Sequence, residues 1–104
     1  PMIIGELNGQ YVLAVKCEGD KVPWHTHENE DEMFLVIEGT LDIFEPDKKM
    51  TIKAGEFYIV SRGVEHRVVP RALVKLLLFE PAGISHTGKV ISEITKGKFE
   101  RLDV

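Results

Sequence analysis

The sequence predicts an all-β fold, an antiparallel sandwich or barrel. Turn signals recur at short, regular intervals, and the runs between them are rich in Val, Ile, Leu and Phe. No window before Pro81 carries a 3.6-residue period over helical length. Strands of about four to seven residues at roughly 8–12-residue spacing are the signature of such folds.

The elements follow in order. Tyr11–Cys17 alternates, with Val12, Ala14 and Lys16 on one side and Leu13, Val15 and Cys17 on the other. Met33–Ile37 is continuously apolar and stops at Glu38-Gly39-Thr40; Leu41–Phe44 follows. A turn at Glu45-Pro46-Asp47-Lys48-Lys49 leads to Met50–Lys53, and Ala54-Gly55-Glu56 leads to Phe57–Val60. Ser61-Arg62-Gly63 precedes Val64–Val69, Pro70-Arg71 interrupts, and Leu73–Phe79 ends at Pro81-Ala82-Gly83. The segment Val90–Leu102 fits a short terminal helix or an extra strand equally well.

Met33–Ile37 and Leu73–Phe79 are apolar on both faces, the latter broken only by Lys75. A sheet with one wet face alternates apolar and polar residues, so something covers the outer face of these strands. A second sheet or loop would do so; a partner subunit is the sharper expectation.

Length and composition bound the rest. A chain of 104 residues holds one domain core. Its 43% hydrophobic and 29% charged residues are ordinary for a globular protein. No apolar run approaches the ~18 residues of a transmembrane helix, and the first residues lack the basic and apolar regions of a signal peptide. With a single cysteine, Cys17, no internal disulfide is available, and a cytoplasmic location is the default expectation. The net charge of −4 opposes a nucleic-acid partner held through phosphate neutralisation. Lys89, Lys96, Lys98 and Arg101 are interleaved with Glu93 and Glu100 and read as a solvated tail.

Chemistry concentrates in three of the four histidines. In an extended segment, residues two apart point to one face, so His25-Thr26-His27 can bring two imidazoles together. Glu32 shares a face with Phe34 and Val36, and His66 shares parity with Val64 and Val68. Three imidazoles and a carboxylate facing an apolar interior would be costly alone. One divalent transition metal ion (Mn, Fe, Ni, Cu or Zn) would compensate them, with His25, His27, Glu32 and His66 as its ligands.

At these residues the chain resembles a known family. Gly19-x5-His25-x-His27-x4-Glu32-x6-Gly39 is similar to the first sequence motif of the cupin superfamily, with every fixed position present. Gly55-x5-Ser61-Arg62-Gly63-x2-His66 resembles the second, with Ser61 where the family pattern has Pro and Pro70 where it often has Asn. The resemblance implies a cupin-type double-stranded β-barrel (jelly roll), with the ligand role carried by His25, His27, Glu32 and His66, and a homodimer. It leaves the reaction open, because the fold hosts dioxygenases, isomerases, decarboxylases and non-catalytic sugar-binding domains.

Other residues have plainer readings. Glu28-Asn29-Glu30-Asp31 is a solvated loop, or a source of a carboxylate in place of Glu32. Cys17 is a small buried hydrophobe. Trp24 either edges the pocket or packs, while Phe34 and Val36 are the better candidates for its wall. His86 is exposed, and Arg62, Arg67 and Arg71 are solvated unless an anionic substrate recruits them. The expected function is a small metalloenzyme, of oxygenase or isomerase type, acting on a hydroxylated or carbonyl-bearing molecule. The alternatives are a metal-assisted binding or sensor module for a sugar-like or carboxylated ligand, and a structural metal.

Overall fold

The computed structural model describes residues 1–82 and 100–101. Among them are seven strands and no helix: β1 Met2–Leu7, β2 Gln10–Cys17, β3 Glu32–Glu45, β4 Lys48–Lys53, β5 Phe57–Val60, β6 Arg67–Pro81 and β7 Glu100–Arg101. They form one sheet in the order β4-β3-β6-β2-β1-β7, with β5 added to β3. All pairs are antiparallel except β1 with β7. The all-β architecture anticipated from strand spacing is found, consistent with the jelly roll that the family resemblance implies. No helix among the described residues is long and apolar enough to cross a membrane. Residue His86 lies outside the described residues, as does the segment Val90–Leu102 apart from β7.

Two strands run longer than their sequence suggests. The expected breaks at Gly39-Thr40 and Pro70-Arg71 are bends inside β3 and β6, which stay paired along both halves, from Met33↔Phe79 to Phe44↔Arg67. The register shifts between Val36 and Glu38 and again between Glu38 and Thr40, so the ladder turns a corner there. Gly39 makes the corner possible, with φ of +98° and its Cα against β6. Opposite it, Ala72 takes φ of +59°. Pro70 is tolerated because β2 pairs with β6 only from Val74 onward, which leaves Arg67–Arg71 with β3 as its one strand neighbour.

Three smaller differences share one cause. The turn after Glu45 is tighter than expected, since Glu45 already pairs with Lys48. β6 begins at Arg67, so Val64 and Glu65 remain loop. β1 was not anticipated because Met2-Ile3-Ile4-Gly5-Glu6 does not alternate; its pairing with β2 defines it. In each case a neighbouring strand decides, and local sequence does not.

Inward residues alternate along the strands and meet in one core, with Leu13, Val36, Leu41, Ile43 and Val74 wholly buried. The opposite face of β3 and β5 is also apolar: Leu35 sits across from Phe57, and Met33 from Ile59. There Phe57 is 58% exposed and Ile37 54%, with Ile59 and Leu73 nearby in exposure.

A Cβ on Gly39 would lie 2.7 Å from the Leu73 carbonyl oxygen, closer than side-chain carbons approach backbone oxygen. Because that contact adds to the cost of a positive φ, Gly39→Ala should lower the melting temperature by ~10 °C. Calorimetry of the two proteins checks this; an unchanged melting temperature would mean that the corner is not strained.

Candidate metal centre

The site begins with a backbone contact. His25 N–H donates to the His66 carbonyl at 3.0 Å, and His66 N–H donates to the His25 carbonyl at 2.9 Å. This reciprocal bridge places two residues from distant parts of the chain face to face. A turn at Ser61–Val64 supports it, with Gly63 N–H bonded to the His27 carbonyl at 2.8 Å. Asp31 anchors the same turn by accepting from the Arg62 backbone N–H at 2.9 Å. Glu32 opens β3 alongside, so the four side chains come from three separate stretches.

The anticipated ligands converge. His25, His27, Glu32 and His66 are all buried, and one donor atom from each lies within 4.8 Å of every other. The three rings pack as a cluster, His25 and His66 at 4.3 Å between centroids. Each imidazole has its Nδ1 engaged from outside the cluster. His25 Nδ1 is 2.8 Å from the Pro23 carbonyl, and His66 Nδ1 is 3.0 Å from the Val64 carbonyl. His27 Nδ1 is 3.1 Å from Glu30 Oε1. A carbonyl only accepts, so Nδ1 carries the hydrogen in His25 and His66, and a Glu30 carboxylate demands the same of His27. In the neutral rings Nε2 is therefore a lone pair.

Those lone pairs face a carboxylate. Glu32 Oε2 is 3.4 Å from His27 Nε2, and Glu32 Oε1 is 3.3 Å from His66 Nε2. His27 Nε2 is buried and makes no hydrogen bond. Four buried donor atoms within 4.8 Å of one another fit a cation, and the N₃O set suits a divalent transition metal. Outer partners on each Nδ1 are the usual support of histidine ligands. Burial pushes the His25 imidazole below its ordinary pKa. Burial opposes charge on His66 too, but the protonated ring would donate from Nε2 to Glu32 as well as from Nδ1 to the Val64 carbonyl, and these bonds outweigh burial and raise its pKa.

One functional neighbour escapes sequence reasoning. Glu80 on β6 is wholly buried and hydrogen bonded to Glu32. Burial, then the neighbouring Glu32, push its carboxyl up to about 9. Glu80 is thus a neutral acid at pH 7, able to donate to the Glu32 carboxylate. The signal was present: Leu76, Leu78 and Glu80 share parity, and the first two are buried. Glu30 was read with the acidic loop, yet it holds His27. Glu32 needs no substitute from that loop.

A cavity of about 330 Å³ inside the barrel counts His25 and Glu32 among its lining residues. Phe34 lines it as expected, whereas Val36 lies beneath in the core. Cys17 also lines it, half-buried, with burial raising its thiol. Trp24 is 40% exposed and stands apart from the cavity wall. The three arginines have aspartate partners: Arg62 with Asp31, Arg67 with Asp20, and Arg71 with Asp42 at 2.9 Å.

Comparison with known proteins decides the family, since a family model described as "Cupin domain" matches residues 12–74. The chain belongs to the cupin family. A solved cupin-2 domain containing protein from Shewanella frigidimarina is 41% identical to this cupin, with a TM-score of 0.75, and the match covers 78% of each chain. Protein NMB1881 from Neisseria meningitidis is 34% identical with a TM-score of 0.70, covering 79% of this chain and 82% of that one. Uncharacterized protein YdbB of Bacillus subtilis is 35% identical over 65 residues, which span 62% of this cupin and only 57% of YdbB.

The raised Glu80 carboxyl has a thermodynamic sign. The folded state holds this proton between the ordinary pKa of 4.5 and about 9, while the unfolded state releases it, so stability falls as pH rises through that window. In metal-free protein, Glu80→Gln should raise the melting temperature at pH 8 by at least ~5 °C, with the gap closing near pH 5. Thermal melts across that range in chelator check it; a gap independent of pH would show that Glu80 is not the titrating group.

Proposed function

We propose that this cupin holds one divalent transition metal ion through His25, His27, Glu32 and His66 and acts as a small metalloenzyme. Its substrate is a hydroxylated or carbonyl-bearing small molecule, and the reaction is of oxygenase or isomerase type. The observation that carries the reading is the convergence of four buried donor atoms, one each from His25, His27, Glu32 and His66, to within 4.8 Å of one another, with each imidazole engaged at Nδ1 from outside the cluster. Three neutral imidazoles and one carboxylate leave a divalent ion with a net charge of about +1. About two positions of an octahedral ion stay open for substrate. The ion would supply Lewis-acid or redox chemistry. The protein supplies the rest: apolar side chains wall the cavity, the Nδ1 acceptors fix the rings, and Glu80 hydrogen bonds to Glu32.

A second reading rests on what lines the cavity. Apart from His25 and Glu32, its ionisable groups are the Cys17 thiol and, on exposed residues, Lys16, Glu18, Lys21 and the α-amino group of Pro1. With so little acid–base equipment inside, a non-catalytic binding or sensor module is the alternative. Oxygen uptake and product analysis with iron- or manganese-loaded protein separate the two. Turnover supports the enzyme; saturable binding without turnover supports the module.

The metal itself is tested by elemental analysis and zinc titration. Wild type should carry about one ion per chain, and His25→Ala and His66→Ala should lose it. Protons compete for His66, whose pKa is raised, so affinity should fall about tenfold per pH unit below that pKa. Full occupancy in both variants would end the proposal.

The partner we propose is a second copy of this chain, docked on the apolar outer face of β3 and β5. Phe57, Ile37 and Ile59 there form a patch that water disfavours. Light scattering after size exclusion should give a dimer at micromolar concentration, and Phe57→Lys combined with Ile37→Lys should give a monomer. A monomeric wild type would exclude this interface.

A further inference from the structure

The cavity above the candidate metal centre has two chemically different ends. Its body is walled by Val15, Val22, Phe34, Val68, Leu76 and Leu78. Pro70 also lines it, apolar and buried. The charged groups of its lining fall into two sets: Lys16, Glu18, Lys21 and the α-amino group of Pro1 belong to exposed residues, whereas His25 and Glu32 are buried. The half-buried Cys17 thiol, a weak hydrogen-bonding group, is the one other polar side chain of the lining. At about 330 Å³ the space is at the small end of small-molecule sites.

We propose that the ligand of this cavity is a 2-oxo or 2-hydroxy monocarboxylate with an aromatic or branched aliphatic body, and not a sugar or sugar phosphate. The inference rests on the metal reading above and adds the substrate class. The acid's two oxygens form a chelating head that matches the open positions at the His25–Glu32 end. Its single negative charge offsets the site charge of about +1, which a phosphate dianion overshoots. The body then lies against valine, leucine and phenylalanine. Each buried CH₂ gains roughly fourfold in affinity there. A sugar would leave several hydroxyls without partners, each losing about tenfold or more.

Calorimetry on zinc-loaded protein tests this, with pyruvate, 4-methyl-2-oxopentanoate, phenylpyruvate and glucose 6-phosphate as probes. Zinc stoichiometry is measured first. Protein that takes up no zinc overturns the metal centre, and the proposal with it, before any organic probe is added. With zinc bound, the branched and aromatic acids should bind at least tenfold tighter than pyruvate, and glucose 6-phosphate weaker than all three. Equal affinity for pyruvate and phenylpyruvate, tighter binding of the sugar phosphate, or no binding by any acid overturns the substrate class and leaves the metal reading standing. Val15→Phe should shorten the cavity, costing phenylpyruvate at least tenfold while pyruvate and zinc binding hold. If that variant does not fold, Cys17→Leu, nearer the mouth, should weaken phenylpyruvate relative to pyruvate. Unchanged selectivity in the folded variant places the ligand elsewhere and overturns the proposal.

Discussion

Everything functional in this molecule depends on the pair of backbone hydrogen bonds between His25 and His66. Neither residue belongs to a long strand. His25 follows a loop and His66 precedes β6, yet their reciprocal N–H···O=C bonds act as a one-pair ladder. Once they are locked, side-chain direction is no longer free, and the rings meet at 4.3 Å. The surrounding contacts serve that bridge. Gly63 caps His27, Asp31 holds the turn, and the Pro23 and Val64 carbonyls set the ring tautomers. A cluster of buried acceptors is energetically poor on its own, so the fold invests ordinary hydrogen bonds around it to keep it open for a cation.

The same economy explains the carboxyl pair. Two buried glutamates in contact cannot both ionise, and the wholly buried Glu80 keeps the proton. Glu80 belongs to β6, the strand that pairs with both β3 and β2. A strand paired on both sides therefore carries the group behind Glu32. The mostly apolar cavity is the complement of this arrangement, since apolar walls leave the few buried charges in surroundings of low polarity.

The site was more legible in the sequence than its setting. His25, His27, Glu32 and His66 declare themselves because their side-chain chemistry is scarce and their spacing matches an extended backbone. Glu80 hid at the end of an apolar run, where a carboxylate looks like the start of a turn. Strand lengths were misjudged for a related reason. Gly39 and Pro70 are breakers in isolation, but the β3–β6 ladder overrides them, using the first as a corner and placing the second where β6 lacks a neighbour on one side. Parity within a strand is local information. Continuity of a ladder is set by a distant partner, about thirty residues away at Thr40↔Arg71 and Leu41↔Pro70, and no short window of sequence contains it.

That long ladder also dictates when the four donors can coexist. His25 and His27 are neighbours even in a disordered chain, but His66 joins them only after β3 and β6 have closed on each other. An ion that needs all four will select the native state over the unfolded one by mass action. The availability of metal in the surroundings would then set the half-life of the protein as much as its activity, and a chelator would act on it as a denaturant acts on others.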